Sequence, residues 1–184
     1  AAAYFQKAAA QEHAEAQYNL GIFCQKGRGM EADDLQAVQW FKKAAKQEHA
    51  AARYCLGWCY EQGRGVEQNY EKAFKYYKQA AEQGNASAQH NLGVCYYNGQ
   101  GTPVSYPDAF HWYQKAASQG NAPAQFSLGF YYENGAGAEP DYAKAMEWYQ
   151  KAAQQNYADA QYSIGSCYEQ GLGVKQDYEE AIKW

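Results

Sequence analysis

Apolar and polar positions recur along this chain with helical spacing, and the whole arrangement returns every 36 residues: Leu20–Gly21, Leu56–Gly57, Leu92–Gly93, Leu128–Gly129 and Ile164–Gly165. Upstream and downstream of that pair, Ala16, Leu20, Phe23 and Cys24 follow the i, i+4, i+7, i+8 spacing of an amphipathic helix, as do Ala52, Leu56, Cys59 and Tyr60 one unit later. A glycine inside a helix costs about 1 kcal/mol relative to alanine. Its return in every unit predicts that another backbone passes too close for a Cβ.

The first helix of each unit ends at a Gly-x-Gly: Gly27–Gly29, Gly63–Gly65, Gly99–Gly101, Gly135–Gly137 and Gly171–Gly173. The first glycine suits a left-handed cap and the second lets the loop turn back. A capping residue then announces a second helix in each copy: Asp33, Asn69, Ser105, Asp141 and Asp177. Gln36 and Glu180 stand where they would complete capping boxes. Pro107 and Pro123 fall inside first turns, where a missing N–H is harmless. The second helix buries Ala37, Val38, Trp40, Phe41, Ala44 and Ala45, repeated as Ala73, Phe74, Tyr76, Tyr77, Ala80 and Ala81, before Gly84, Gly120 or Asn156 ends it. So wide an apolar arc needs cover from its own partner helix and from the next unit.

The pattern predicts an all-α solenoid of antiparallel helix pairs stacked into a right-handed superhelix, with no single central core. Residues 1–12 match the second half of a repeat, since Tyr4, Phe5, Ala8 and Ala9 precede Trp40, Phe41, Ala44 and Ala45 by one period. Full units are expected at 13–48, 49–84, 85–120 and 121–156, with an incomplete unit at 157–184, in a single array whose ends both look cut.

Composition narrows the function. Sixteen Lys+Arg against 20 Asp+Glu leave a net charge of −4, interspersed along the sequence with no basic tail, which argues against nucleic acid. No apolar run approaches the roughly 20 residues that cross a bilayer, so no membrane insertion is expected. Cys24, Cys55, Cys59, Cys95 and Cys167 all lie in first halves of repeats, so a bridge between the two helices of a hairpin has no second-helix partner. They read as buried, reduced thiols of a reducing, cytoplasmic compartment.

His13 and His49 occupy the position of Asn85 and Asn121 and suggest helix starts; His90 shares a register with Tyr18, Tyr54, Phe126 and Tyr162 and suggests packing. No His, Cys and carboxylate group has metal-ligand spacing, and the Gly-x-Gly lacks both the Lys-Ser/Thr and the preceding strand of a phosphate loop. No catalytic residue, metal or cofactor is assigned.

The repeat approximates A-x-x-x-L-G-x-x-Y-x-x-G-x-G-V-x-x-D-Y-x-x-A-x-x-W-Y-x-K-A-A-x-x-G, seen in Ala52, Leu56, Gly57, Tyr60, Gly63, Gly65, Val66, Asn69, Tyr70, Ala73, Tyr76, Tyr77, Ala80, Ala81 and Gly84. It resembles the Sel-1-like repeat family, relatives of the tetratricopeptide repeats, over essentially the whole chain. Tetratricopeptide repeats are shorter and carry a Trp three residues before their Leu, where this chain has Gln17, Arg53, Gln89, Gln125 and Gln161. The resemblance implies a non-catalytic adaptor that gathers other proteins. Some secreted relatives staple each hairpin with a disulfide whose second-helix cysteine is missing here, which departs from secretion.

Registers that vary stand out against those that recur. Positions 22, 58, 94, 130 and 166 read Ile, Trp, Val, Phe and Ser, and positions 25, 61, 97, 133 and 169 read Gln, Glu, Tyr, Glu and Glu. Three residues apart, they share one side of the first helix, the inner face of the superhelix by the tetratricopeptide analogy. Ile22, Trp58, Glu61, Val94, Tyr97, Phe130, Glu133 and Glu169 are therefore the candidate partner-binding residues. Their aromatics suit hot spots, and their carboxylates suit a basic peptide or protein. Self-association through the chain ends is a further expectation. The alternatives are a regulatory or host-interaction protein acting on an enzyme complex, or an enzyme using the thiols and glycine loops.

Overall fold

The computed structural model describes residues 12–28, 31–136 and 139–184; the expected half-repeat over residues 1–11, and Gly29 and Gly137, lie outside them. The described residues form ten helices and no strand. The first helices are α1 (Ala14–Lys26), α3 (Ala50–Gln62), α5 (Ala86–Asn98), α7 (Ala122–Glu133) and α9 (Ala158–Gln170). The second helices are α2 (Asp34–Lys46), α4 (Tyr70–Glu82), α6 (Tyr106–Ser118), α8 (Tyr142–Ala153) and α10 (Tyr178–Lys183). The chain divides into two compact units, Ala1–Pro103 and Val104–Trp184. Within each, every helix packs on its sequence neighbour.

The helix boundaries follow the local chemistry. Asp33, Asn69, Ser105, Asp141 and Asp177 each accept the amide of the residue three positions on, satisfying an N–H that has no partner within the helix. The reciprocal half of the expected capping boxes does not form. The backbone N–H of Asp33 donates instead to Cys24 O at 2.9 Å, and that of Asp177 to Tyr168 O, so each second helix is tied to the end of the first. Gln36, freed from the cap, accepts the Cys24 thiol at 2.9 Å. Gly27, Gly63, Gly99 and Gly171 close first helices in the left-handed region. Second helices run out into Gly84, Gly120 and Asn156 at positive φ, and Glu48 takes the same conformation.

At Gly165 the nearest atom to an added Cβ is a backbone oxygen, Ala181 O at 3.2 Å, as expected, but at Gly21, Gly57 and Gly129 the recurring mid-helix glycine has a different cause. A Cβ on Gly57 would stand 2.5 Å from the Tyr77 ring, and one on Gly21 or Gly129 would meet the Phe41 or Tyr149 ring as closely. The space is taken by an aromatic side chain of the partner helix, because those rings are fully buried and need a flat wall to lie against. The closest backbone approaches occur in the loops: a Cβ on Gly65 would come within 2.2 Å of Asp34 O, and one on Gly101 within 2.2 Å of Tyr70 O. At Gly65, Gly101 and Gly173 the second glycine thus seats the loop on the start of the preceding second helix.

The core consists of small residues around these rings. In the first unit Ala37, Val38, Phe41, Ala44, Ala52, Leu56 and Cys59 form one cluster. In the second, Ala145, Met146, Tyr149, Ala152, Ala160, Ile164 and Cys167 do the same. Trp40, Phe74 and Tyr76, expected on the buried side, are half-buried. Gln17, Gln89 and Gln125 are buried within the helical layer, and each has an identified hydrogen bond. Gln89 donates to Ala81 O at 3.1 Å and Gln125 to Ala117 O at 3.4 Å, while Gln47 and Gln155 donate to the amide oxygens of Gln17 and Gln125. A glutamine fills the tetratricopeptide tryptophan position here because its amide satisfies the carbonyls at the end of the previous helix.

Candidate partner-binding face

The variable positions lie on first helices, one turn apart along each. In the first unit Ile22 and Trp58 are half-buried, with one side packed on the core cluster. Val94 and Tyr97 on α5 are also half-buried. Trp58 is therefore not the freely exposed aromatic the register suggested. The Arg64 guanidinium lies 5.3 Å from the Trp58 ring centre while bonding Asp34 at 2.9 Å, so the loop after α3 folds a cation over the indole. In the second unit Phe130 is 42% exposed.

The three carboxylates are not equivalent. Glu61 accepts the Tyr77 hydroxyl at 2.5 Å, and Glu133 accepts that of Tyr149. Both tyrosines are fully buried, and burial together with the neighbouring carboxylate pushes their hydroxyl pKa upward. These glutamates therefore help to close the hairpin, which the variability of their register concealed: a buried phenol needs an acceptor, and the facing helix supplies it. Where the ring is Phe41, the facing residue is Gln25, whose side-chain nitrogen is buried without a hydrogen-bond partner. Glu169 is exposed and lines a cleft of about 450 Å³ with Tyr162, Ser166, Tyr178 and Trp184.

The residues weighed for chemistry have structural surroundings. The thiols are free. Burial pushes Cys55 and Cys95 up to about 12 and Cys59 and Cys167 up to about 11, the reverse of what a nucleophile needs. His49 caps α3 by accepting the Ala52 amide at 3.2 Å and meets Glu15 at 2.8 Å. His13 makes no side-chain cap bond. Burial lowers the His90 pKa, consistent with its place among packed rings. Among the described residues no group of three or more His, Cys, Asp or Glu is arranged to hold a metal ion, and no helix is long and apolar enough to cross a membrane.

Helix pairs that repeat every 36 residues and pack on their sequence neighbours define an α-helical repeat protein. The chain belongs to the Sel1 repeat family, whose model matches residues 1–13, 14–49, 50–85, 86–121, 122–157 and 158–184. Its fold matches that of a protective antigen present in uropathogenic Escherichia coli strains, with 38% identity, a TM-score of 0.88, and coverage of 97% of this chain and 38% of that one. A Sel1 repeat protein from Oxalobacter formigenes matches at 35% identity and a TM-score of 0.90, over 96% of this chain and 70% of its own. An immunity protein from Pseudomonas aeruginosa shares the fold at 23% identity and a TM-score of 0.66, covering 99% of this chain and 70% of that one. The chain thus spans well under half the length of the E. coli antigen. A search of curated proteins returned no match. Proteins of the Sel1 repeat family are in general non-enzymatic scaffolds that bind protein partners.

Proposed function

We propose that the chain is a non-catalytic scaffold that holds a peptide or partner protein on the first-helix face, the side expected to be concave. In the first unit that face comprises Ile22, Trp58, Glu61, Val94 and Tyr97; in the second it comprises Phe130, Glu133 and Glu169. The exposure of Phe130 carries the reading, because a large apolar side chain standing 42% exposed adds little to folding and suits a contact. Glu61 and Glu133 have one carboxylate oxygen engaged by a tyrosine, which holds the group in place and leaves charge for a basic ligand.

Affinity capture from the source cell, with mass spectrometry of the retained proteins, identifies the partner. Phe130→Ala is then expected to leave helicity and melting unchanged while weakening capture by about tenfold or more. Undiminished capture by Phe130→Ala, or by that change combined with Tyr97→Ala, places binding on another face.

A further inference from the structure

The lysines of the first unit are divided unequally between its two kinds of helix. Helices α1, α3 and α5 carry Lys26 and Arg53 against Glu15 and Glu61. Helices α2 and α4 carry Lys42, Lys43, Lys46, Lys72, Lys75 and Lys78, all exposed, against Asp34, Glu71 and Glu82. Asp34 is already committed to Arg64 at 2.9 Å. Lys43 lies 4.1 Å from the Trp40 ring centre and Lys72 5.3 Å from that of Tyr60. Lys42, Lys46, Lys75 and Lys78 form no ion pair among the described residues.

These four lie on the two successive second helices of the first unit. Lys42 and Lys46 are one turn apart on α2, Lys75 and Lys78 one turn apart on α4, and Lys42 and Lys78 stand in the same register of successive repeats. Both helices pack against α3. On α4 Glu71 stands one turn before Lys75 and Glu82 one turn after Lys78, whereas on α2 Lys42 and Lys46 have no carboxylate one turn away, so that over the two helices six lysines meet three carboxylates. The second unit differs: its second helices balance Lys115, Lys144, Lys151 and Lys183 with Asp108, Glu147, Glu179 and Glu180, and Lys144 and Lys183 are ion-paired with Asp141 and Glu180. In a chain of net charge −4, this excess of lysine on two successive second helices is a local feature.

We propose that the outer face of α2 and α4 binds an acidic segment of a partner protein. A nucleic acid fits less well. Trp40 and Tyr76 are half-buried against the core, Trp40 is covered by Lys43 and Tyr76 stacks on Tyr60, so neither ring offers a free face to a base. The net negative chain also repels a long polyanion, whereas a short acidic segment meets the lysines at close range. A membrane surface fits less well too, because the exposed large apolar residues of these helices, Leu35 and Tyr70, lie at first turns away from the four lysines. The proposal goes beyond the first-helix reading and does not rest on it; the scaffold so described has two faces that select opposite charges.

The test is fluorescence anisotropy of a labelled glutamate-rich peptide with the full chain. Combining Lys42→Glu, Lys46→Glu, Lys75→Glu and Lys78→Glu is expected to weaken binding about tenfold or more, and the binding is expected to fall as salt is raised. Lys115→Glu with Lys151→Glu, in the second unit, is expected to change it less than about twofold. Circular dichroism checks the fold, and the milder pair Lys42→Gln and Lys78→Gln gives an intermediate loss should the reversals disturb it. Binding that survives the reversals, an absence of binding by the parent chain, or tighter binding of a single-stranded oligonucleotide or phosphatidylserine vesicle than of the peptide overturns the proposal.

Discussion

Helices α3 and α7 begin their units' central hairpins with the same parts and end them differently. Gly57, Tyr77 and Glu61 in one, and Gly129, Tyr149 and Glu133 in the other, form the same lock: a ring on a glycine, its hydroxyl on a carboxylate. Beyond the lock, α3 runs to Gln62 and is capped by Gly63, and Arg64 then folds back over Trp58. Helix α7 stops at Glu133 with Asn134 as its cap, and the residue equivalent to Arg64 is Ala136, itself buried. Phe130 is 42% exposed, whereas Arg64 lies over the Trp58 ring. The recurring registers build interchangeable hairpins. One loop residue decides how much of the variable face is open.

Four measurements break or sharpen that comparison. The largest effect is expected from Leu56→Ala and Leu128→Ala, both fully buried, each losing about 2–5 kcal/mol in chemical denaturation. Because repeat stability is a sum of local terms, hydrogen exchange should place each loss in its own unit; a loss spread evenly over the chain contradicts two separable units.

Alkaline pH should separate the units next. The raised thiol pKa values mean that the unfolded chain releases protons first, from the ordinary 9.0, so stability is intact below pH 9 and lost progressively from there toward about 12. The first unit holds Cys24, Cys55, Cys59 and Cys95 and the second only Cys167. Hydrogen exchange across that range should therefore show the first unit opening at lower pH.

Tyr77→Phe and Tyr149→Phe are expected to cost similar amounts, roughly 1.5–3 kcal/mol each, since both remove a hydrogen bond to a charged group without removing a ring. Unequal losses in denaturant titrations show that the two locks are not interchangeable. The smallest effect is that of Arg64→Ala, below about 1 kcal/mol, because its ion pair and ring contact are partly exposed. Trp58 should nonetheless become more accessible to a collisional quencher, with Trp58→Phe as the control that removes the added signal; an unchanged quenching profile means that Arg64 does not cover the indole.

Most of the fold was legible in the chain itself. Five copies of one pattern place the second-helix N-caps, the helix starts and the small buried residues, because these follow from hydrogen bonds and spacing that act within a few residues. The side chains that pass between helices were harder to read. The glycine register pointed to a close approach by a backbone, where Gly21, Gly57 and Gly129 meet a ring of the partner helix. Comparing positions 16 residues apart would have exposed the lock, since Glu61 and Glu133 face tyrosines whereas Gln25 faces Phe41.

The surface divides in the same way. Its charges are interspersed in sequence, yet folding the repeat on itself gathers Lys42, Lys46, Lys75 and Lys78 on second helices, as sorting by the 36-residue period also does. Repetition and local hydrogen bonding determined that this chain makes capped helix pairs and where each begins and ends. Only the tertiary structure decided that Glu61 and Glu133 are bound to tyrosines, that Arg64 covers Trp58 and that Phe130 is 42% exposed, because those outcomes depend on distances between side chains on different elements.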